Sequence, residues 1–268
     1  MGRKGRKNKS KSRSTVKALP PQAKHPRKPP PDAAAASFLR GQGDGGGARS
    51  TAVAVATVAK ATVEEKRIDK RMIATLPLIQ WNGPIIVLKD RDEMKNAVEV
   101  LLKDDILGFD TETRPVFRKG EYQPPALVQL ANKECAYLFQ ILCGGLDILT
   151  PLLEANHVTK VGVAIKGDIK ALQKVHRFKP GGFVELSDRT KKLGYHNTGL
   201  RALTALIMGR RLSKQARMSN WAKPDLKDKQ KVYAATDAWI GRELYLRVLE
   251  EERVWQATSE WGMSSNSV

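Results

Sequence analysis

Residues 105–113 read DILGFDTET. Successive side chains of a strand point to opposite faces, so Leu107 and Phe109 share one face while Asp110 and Glu112 share the other. One face of this strand is therefore built for a core, and the other ends in two carboxylates side by side. Burying an acid costs several kcal/mol unless it is paired or bound to metal. A divalent cation such as Mg²⁺ or Mn²⁺, which prefers oxygen ligands, would remove both the burial penalty and the mutual repulsion. For D-x-E taken alone, an exposed strand end is the simpler explanation.

The flanking sequence supplies the rest of a sheet. Upstream, PIIVLKD is a compact β-branched run, followed by RDEMKNAVEVLLKDD, in which Met94, Val98, Leu101 and Leu102 recur at helical spacing. Downstream, ALVQLAN and CAYLFQI are two β-type runs separated by Asn132, Lys133 and Glu134, the pattern of a hairpin. LDILTPLLEAN predicts a helix, TKVGVAI a buried strand, GDIKALQKVHRF a helix and FVELSD a strand. Helices dominate the last third, through TGLRALTALIMG and a long pattern from Leu226 to about Glu252. Strands early, alternation in the middle and helices late predict one α/β domain with a mixed sheet flanked by helices.

Charge divides the 268 residues unevenly. The chain carries a net +19, and residues 1–80 hold eighteen Lys and Arg against five Asp and Glu. That segment also contains PRKPPPD and GQGDGGG, a composition that buries too little apolar surface to offset the entropy of ordering. The predicted organisation is a disordered basic extension over 1–80, a folded domain over 81–255 and a short tail over 256–268. The folded part is expected to begin near Leu78 or Ile85, with at most a short helix between Ser50 and Arg71. Cys135 and Cys143 have neither C-x-x-C nor zinc spacing, which suggests a reducing compartment. No apolar run approaches the ~20 residues of a membrane helix, and the basic start never reaches a signal-peptide apolar region.

Two further acids complete a set. Asp168 follows TKVGVAI at the start of a helix, where capping is its ordinary role. Asp237 lies in YAATDA with Tyr233 one turn earlier, so phenol and carboxylate share a helix face. Ala234, Ala235 and Ala238 beside them are small enough for that helix to approach a sheet closely. In order, GFDTETRP, VGVAIKGDIKAL and VYAATDAWIGRELY resemble the three motifs of the DEDD exonucleases. Tyrosine four residues before the last acid matches the tyrosine subclass, DEDDy; the histidine subclass would have His where Val232 stands. FRKGEYQPPALVQLAN, AYLF, TGLRALTA and SNWA also look like the Werner-type and ribonuclease D-like 3′–5′ exonuclease domain. The resemblance covers about Ile85 to Glu252 and implies a ribonuclease H-like fold.

By that resemblance Asp110, Glu112, Asp168 and Asp237 would hold two divalent cations, Mg²⁺ or Mn²⁺, with Asp110 between them. Tyr233 would orient the attacking water, and nucleoside 5′-monophosphates would leave from the 3′ ends of DNA or RNA. Arg114, Lys119, Lys166 and Lys214 lie near these motifs and are candidate phosphate contacts. Two rivals stand beside this reading. One is a non-catalytic nucleic-acid-binding or scaffold protein on the same fold; the other is a haloacid-dehalogenase-like phosphatase, from which Glu112 and Arg114 depart. The basic run suggests the nucleus, with a mitochondrial or plastid address as the alternative.

Overall fold

The computed structural model describes residues 66–264 apart from 117, 119 and 143, with side chains as far as 257. Residues 1–65 of the extension predicted over 1–80, Lys119 and Cys143 lie outside the described residues.

Six strands form one sheet: β1 (Ile85–Leu88), β2 (Ile106–Thr113), β3 (Pro125–Ala131), β4 (Ala136–Gln140), β5 (Thr159–Gly162) and β6 (Phe183–Glu185). Their order is β1-β4-β3-β2-β5-β6. Strand β3 runs antiparallel to β2 and β4, whereas β1 is parallel to β4, and β5 is parallel to both β2 and β6. The expected hairpin is β3–β4, where the Asn132 side chain accepts from the backbone N–H of Glu134 at 2.9 Å and of Cys135 at 2.8 Å. Local side-chain hydrogen bonding of this kind is why Asn favours such turns.

Seven helices are described: α1 (Lys70–Thr75), α2 (Arg91–Leu101), α3 (Leu146–Glu154), α4 (Lys166–Val175), α5 (Leu186–Lys192), α6 (Leu200–Met208) and α7 (Asp228–Ser264). On one face of the sheet Leu107, Phe109, Val128, Leu130 and Phe139 pack with Met94 and Leu101 of α2, Leu149 and Leu152 of α3, and Leu172 of α4. Helix α7 crosses the other face, where Ala234, Ala235 and Ala238 are fully buried. The approach is close enough that a Cβ on Gly108 would stand 1.8 Å from the Ala238 carbonyl oxygen. The alanines of YAATDA thus bring the helix into contact with the backbone of the strand that carries the DTE acids.

Three local expectations change. FVELSD is not one strand, because the Glu185 carboxylate accepts from the Ser187 N–H at 3.1 Å and caps α5, which begins at Leu186, the fourth residue of the run. Asp168 does not cap α4; Ile165 occupies that position and Asp168 lies inside the first turn. Residues 66–80, assigned from sequence to the extension, are tied into the domain. Lys66 forms an ion pair with Glu251 at 2.6 Å, Ile79 N–H donates to the Arg211 carbonyl at 3.0 Å, and Trp81 N–H donates to Thr236 Oγ1 at 2.9 Å. Backbone pairing and ion pairs leave no apolar periodicity, which is why the sequence does not reveal them. Helix α7 also extends past the predicted end near Glu252, to Ser264.

Candidate active site

Three elements converge where the DTE strand ends. The pleat of β2 turns Asp110 and Glu112 toward α7, and Asp168 arrives from the first turn of α4. The turn that delivers α4 holds Ala164 at φ 65°, a left-handed conformation uncommon outside Gly, Asn and Asp. Asp237 and Tyr233 come from adjacent turns of α7, and the Tyr233 ring packs against the buried Trp221 with centroids 6.0 Å apart.

Thr111, between the two acids of the motif, has a role that spacing does not announce. Its hydroxyl donates to Asp168 Oδ1 at 2.6 Å, while its backbone N–H donates to Asp110 Oδ1 at 2.9 Å. One residue therefore connects two acids that are distant in sequence.

Burial raises every acid in the group, and mutual repulsion adds to it at Asp110 and Glu112. Asp110 is pushed well above the carboxylate range, first by burial and then by the charges of Asp237 and Asp168. Glu112 is pushed up to about 9 by burial and by the neighbouring carboxylates, with Arg217 opposing. Burial raises Asp237 to about 7, although the Tyr233 hydroxyl and the Arg201 guanidinium act to lower it. Asp168 is raised by burial against the opposing Thr111 hydroxyl. Tyr233 is raised by burial and by the carboxylates it faces, Asp237 first among them, so it keeps its proton at neutral pH.

Among the described residues none of these four acids forms an ion pair with Lys or Arg. An all-oxygen set of carboxylates that forms no ion pair suits Mg²⁺ or Mn²⁺. The side chains as they stand do not gather three His, Cys, Asp or Glu donors around one point among the described residues. Asp168 is instead engaged by Thr111.

The basic candidates divide differently. Arg114 lies exposed just beyond β2, and Lys214 is exposed in the connection between α6 and α7. Lys166 pairs with Asp188 at 2.6 Å, which draws it toward α5. Two arginines that the sequence reading passed over lie closer electrostatically. Arg217 acts on Glu112, and Arg201 acts on Tyr233 and Asp237 with its Nε buried and unpartnered. Arg201 lies within TGLRALTA and Arg217 just before SNWA, but only the packing of α6 and of the connection after it brings them to the acids. A cavity of about 300 Å³ opens beside Tyr233 and Asp237, walled by Ile79, Gln80, Gln215, Ala216 and Val232 among others.

Residues 85–251 match the family model for the 3′–5′ exonuclease domain. The chain belongs to the 3′–5′ exonuclease domain family. A Mus musculus bifunctional 3′–5′ exonuclease/ATP-dependent helicase WRN is 32% identical to this exonuclease-family chain over 200 residues, covering 70% of this chain and 14% of that protein. A Gluconacetobacter diazotrophicus ribonuclease D is 27% identical over 169 residues, covering 62% of this chain and 42% of that protein. The chain thus spans less than half the length of each of these two relatives. In fold, the Aedes aegypti Nibbler EXO domain superposes with a TM-score of 0.60 at 20% identity, covering 66% of this chain and 94% of that one. The mixed six-stranded sheet is accordingly the ribonuclease H-like fold of the exonuclease domains, and the dehalogenase-like alternative is set aside.

Proposed function

We propose that this protein is a metal-dependent 3′–5′ exonuclease that removes nucleoside 5′-monophosphates from nucleic-acid 3′ ends. The observation that carries the reading is the convergence of Asp110, Glu112, Asp168 and Asp237, from three elements, with no Lys or Arg ion-pair partner among the described residues. In hydrolysis a water oxygen forms the new bond to phosphorus as the bond from phosphorus to the departing 3′-oxygen breaks.

The four acids, Asp110 among them, would hold two divalent cations. Bound cations supply Lewis acidity, making water nucleophilic near neutral pH and stabilising charge on the leaving oxygen. Tyr233, protonated and fixed against Trp221, orients the attacking water by hydrogen bonding and does not serve as a base. Arg201 and Arg217 bind phosphate oxygens on the side of the acids, a better-supported assignment than Lys166, which already has an ion-pair partner. The cavity beside Tyr233 offers room next to the reacting centre for part of the terminal nucleotide. With no groove-reading element among the described residues, end geometry and strand shape set selectivity.

The test is shortening of 5′-labelled DNA and RNA strands by purified protein with Mg²⁺ or Mn²⁺. Release of mononucleotides that ceases in Asp110→Ala, with strand binding retained, is the expected result. Binding without degradation on any DNA, RNA or hybrid end would replace this reading with the non-catalytic one. A nuclear address in the basic run near the amino terminus is part of the proposal, tested by imaging a tagged chain with and without residues 1–13.

A further inference from the structure

A buried carboxamide beside the acids has no hydrogen-bond partner. Gln129, in the middle of β3, has no exposed surface, and neither its Oε1 nor its Nε2 is hydrogen-bonded. Among the described residues no other side chain leaves both of its polar atoms in this state. A buried amide without partners destabilises a fold, and an apolar residue of the same shape would avoid that cost.

Register explains what the amide faces. Gln129 is the direct antiparallel partner of Asp110. Directly opposed residues share a face, with Cβ atoms about 4.5–5.5 Å apart, within reach of a long side chain. Its other direct neighbours on that face are apolar, Leu138 opposite on β4 and Leu127 and Ala131 two residues away along β3, while Glu112, opposite Leu127, lies only on the diagonal. Alanines of α7 pack over both flanking positions. Asp110 is therefore the polar side chain that the register sets against this amide.

Resting on the reading of Asp110 as a cation-holding acid, we infer that Gln129 is its positioning residue: the carboxamide N–H donates to the ionised Asp110 carboxylate in the loaded site and fixes its orientation. The backbone N–H of Thr111 already holds one oxygen of Asp110. A donor from the neighbouring strand supplies a second restraint on an acid whose other close charged neighbours, Asp237, Asp168 and Glu112, are carboxylates that offer it no donor when ionised. Partners of this kind behind metal-holding side chains typically change metal affinity by about 10- to 100-fold when removed.

Gln129→Met tests this, because methionine keeps length and volume while removing both polar atoms. Thermal unfolding in EDTA and Mn²⁺ titration by calorimetry are measured on the full chain, with Gln129→Leu as a second variant should the first fail to fold. The expected result is an unfolding midpoint at or above that of wild type in EDTA, together with Mn²⁺ binding weakened about 10- to 100-fold. Mn²⁺ affinity within about twofold of wild type would overturn the inference. So would a fall in metal-free stability that parallels the loss of affinity, which is what a packing role produces. Failure of the wild type itself to bind Mn²⁺ would instead remove the metal-dependent reading on which the inference rests.

Discussion

Gly108→Ala asks whether the close contact of helix α7 with strand β2 holds the acids together. A Cβ at residue 108 would lie 1.8 Å from the Ala238 carbonyl oxygen and 2.7 Å from its carbon, both backbone atoms. Real contacts of this type start above 3.0 Å, so α7 must retreat from β2 by roughly 1 Å or more. Backbone cannot yield by changing rotamer, so the cost belongs at or above the top of the ~1–3 kcal/mol range for overpacking. For a domain of this size that is a fall of about 6–12 °C in unfolding temperature. The same movement displaces Tyr233 and Asp237, which ride on α7, and a shift of ~1 Å at reacting groups costs on the order of 100-fold in rate. Differential scanning fluorimetry and a 3′-end hydrolysis assay read the two effects. Gly167→Ala is the matched control, because a Cβ there meets nothing within 4 Å and its position in α4 favours alanine; its unfolding temperature should hold or rise. A Gly108→Ala protein that melts within about 2 °C of wild type, a shift of less than ~1 kcal/mol, and cleaves at the same rate would refute the claim that helix proximity assembles the site.

Tyr233→Phe should lower kcat by about 100-fold with Mn²⁺ affinity little changed, since it removes an orienting hydroxyl and no carboxylate; an unchanged kcat in single-turnover hydrolysis counts against the role. In EDTA, stability should fall as pH rises. Glu112 is raised to about 9 and Asp237 to about 7, so above the ordinary carboxylate pKa the folded state holds protons that the unfolded chain has released. That contribution is full below about pH 4 and is lost as pH climbs through these values, by at most ~1.4 kcal/mol per pH unit for each group. Unfolding temperatures from pH 5 to 9 should show a downward slope that Glu112→Gln flattens and Mg²⁺ offsets; an identical slope in Glu112→Gln would contradict the assignment. Arg217→Gln should raise KM for a single strand several-fold and reduce its salt dependence, whereas equal KM values and salt slopes would assign Arg217 to the surface.

Much of the sheet was legible because its signals are local. Period-two alternation in DILGFDTET, β-branched runs and the Asn132 turn each depend on neighbours a few residues away, and β2, β3 and β4 appear where those signals lie. The acids were legible as types in order, and the alanines of YAATDA as a surface fit for close packing. FVELSD misled because three strand-like residues run straight into a helix whose cap is a glutamate side chain, a decision made by one hydrogen bond. Residues 66–80 were missed because ion pairs and backbone bonds to distant partners hold them, and neither leaves a periodic trace.

The sequence by itself determined the alternation that sends Asp110 and Glu112 to one face, the spacing that aligns Tyr233 with Asp237, and the small residues that let α7 come near. Only the tertiary structure decided which groups come together: Thr111 hydrogen-bonded to Asp168, Arg217 and Arg201 within electrostatic reach of Glu112 and Asp237, and Gln129 opposite Asp110 in the β2–β3 register. The division has a physical cause. Helix and strand periodicities are properties of a few consecutive residues, whereas burial and electrostatic coupling depend on distances between segments far apart in the chain, which exist only once the core has closed.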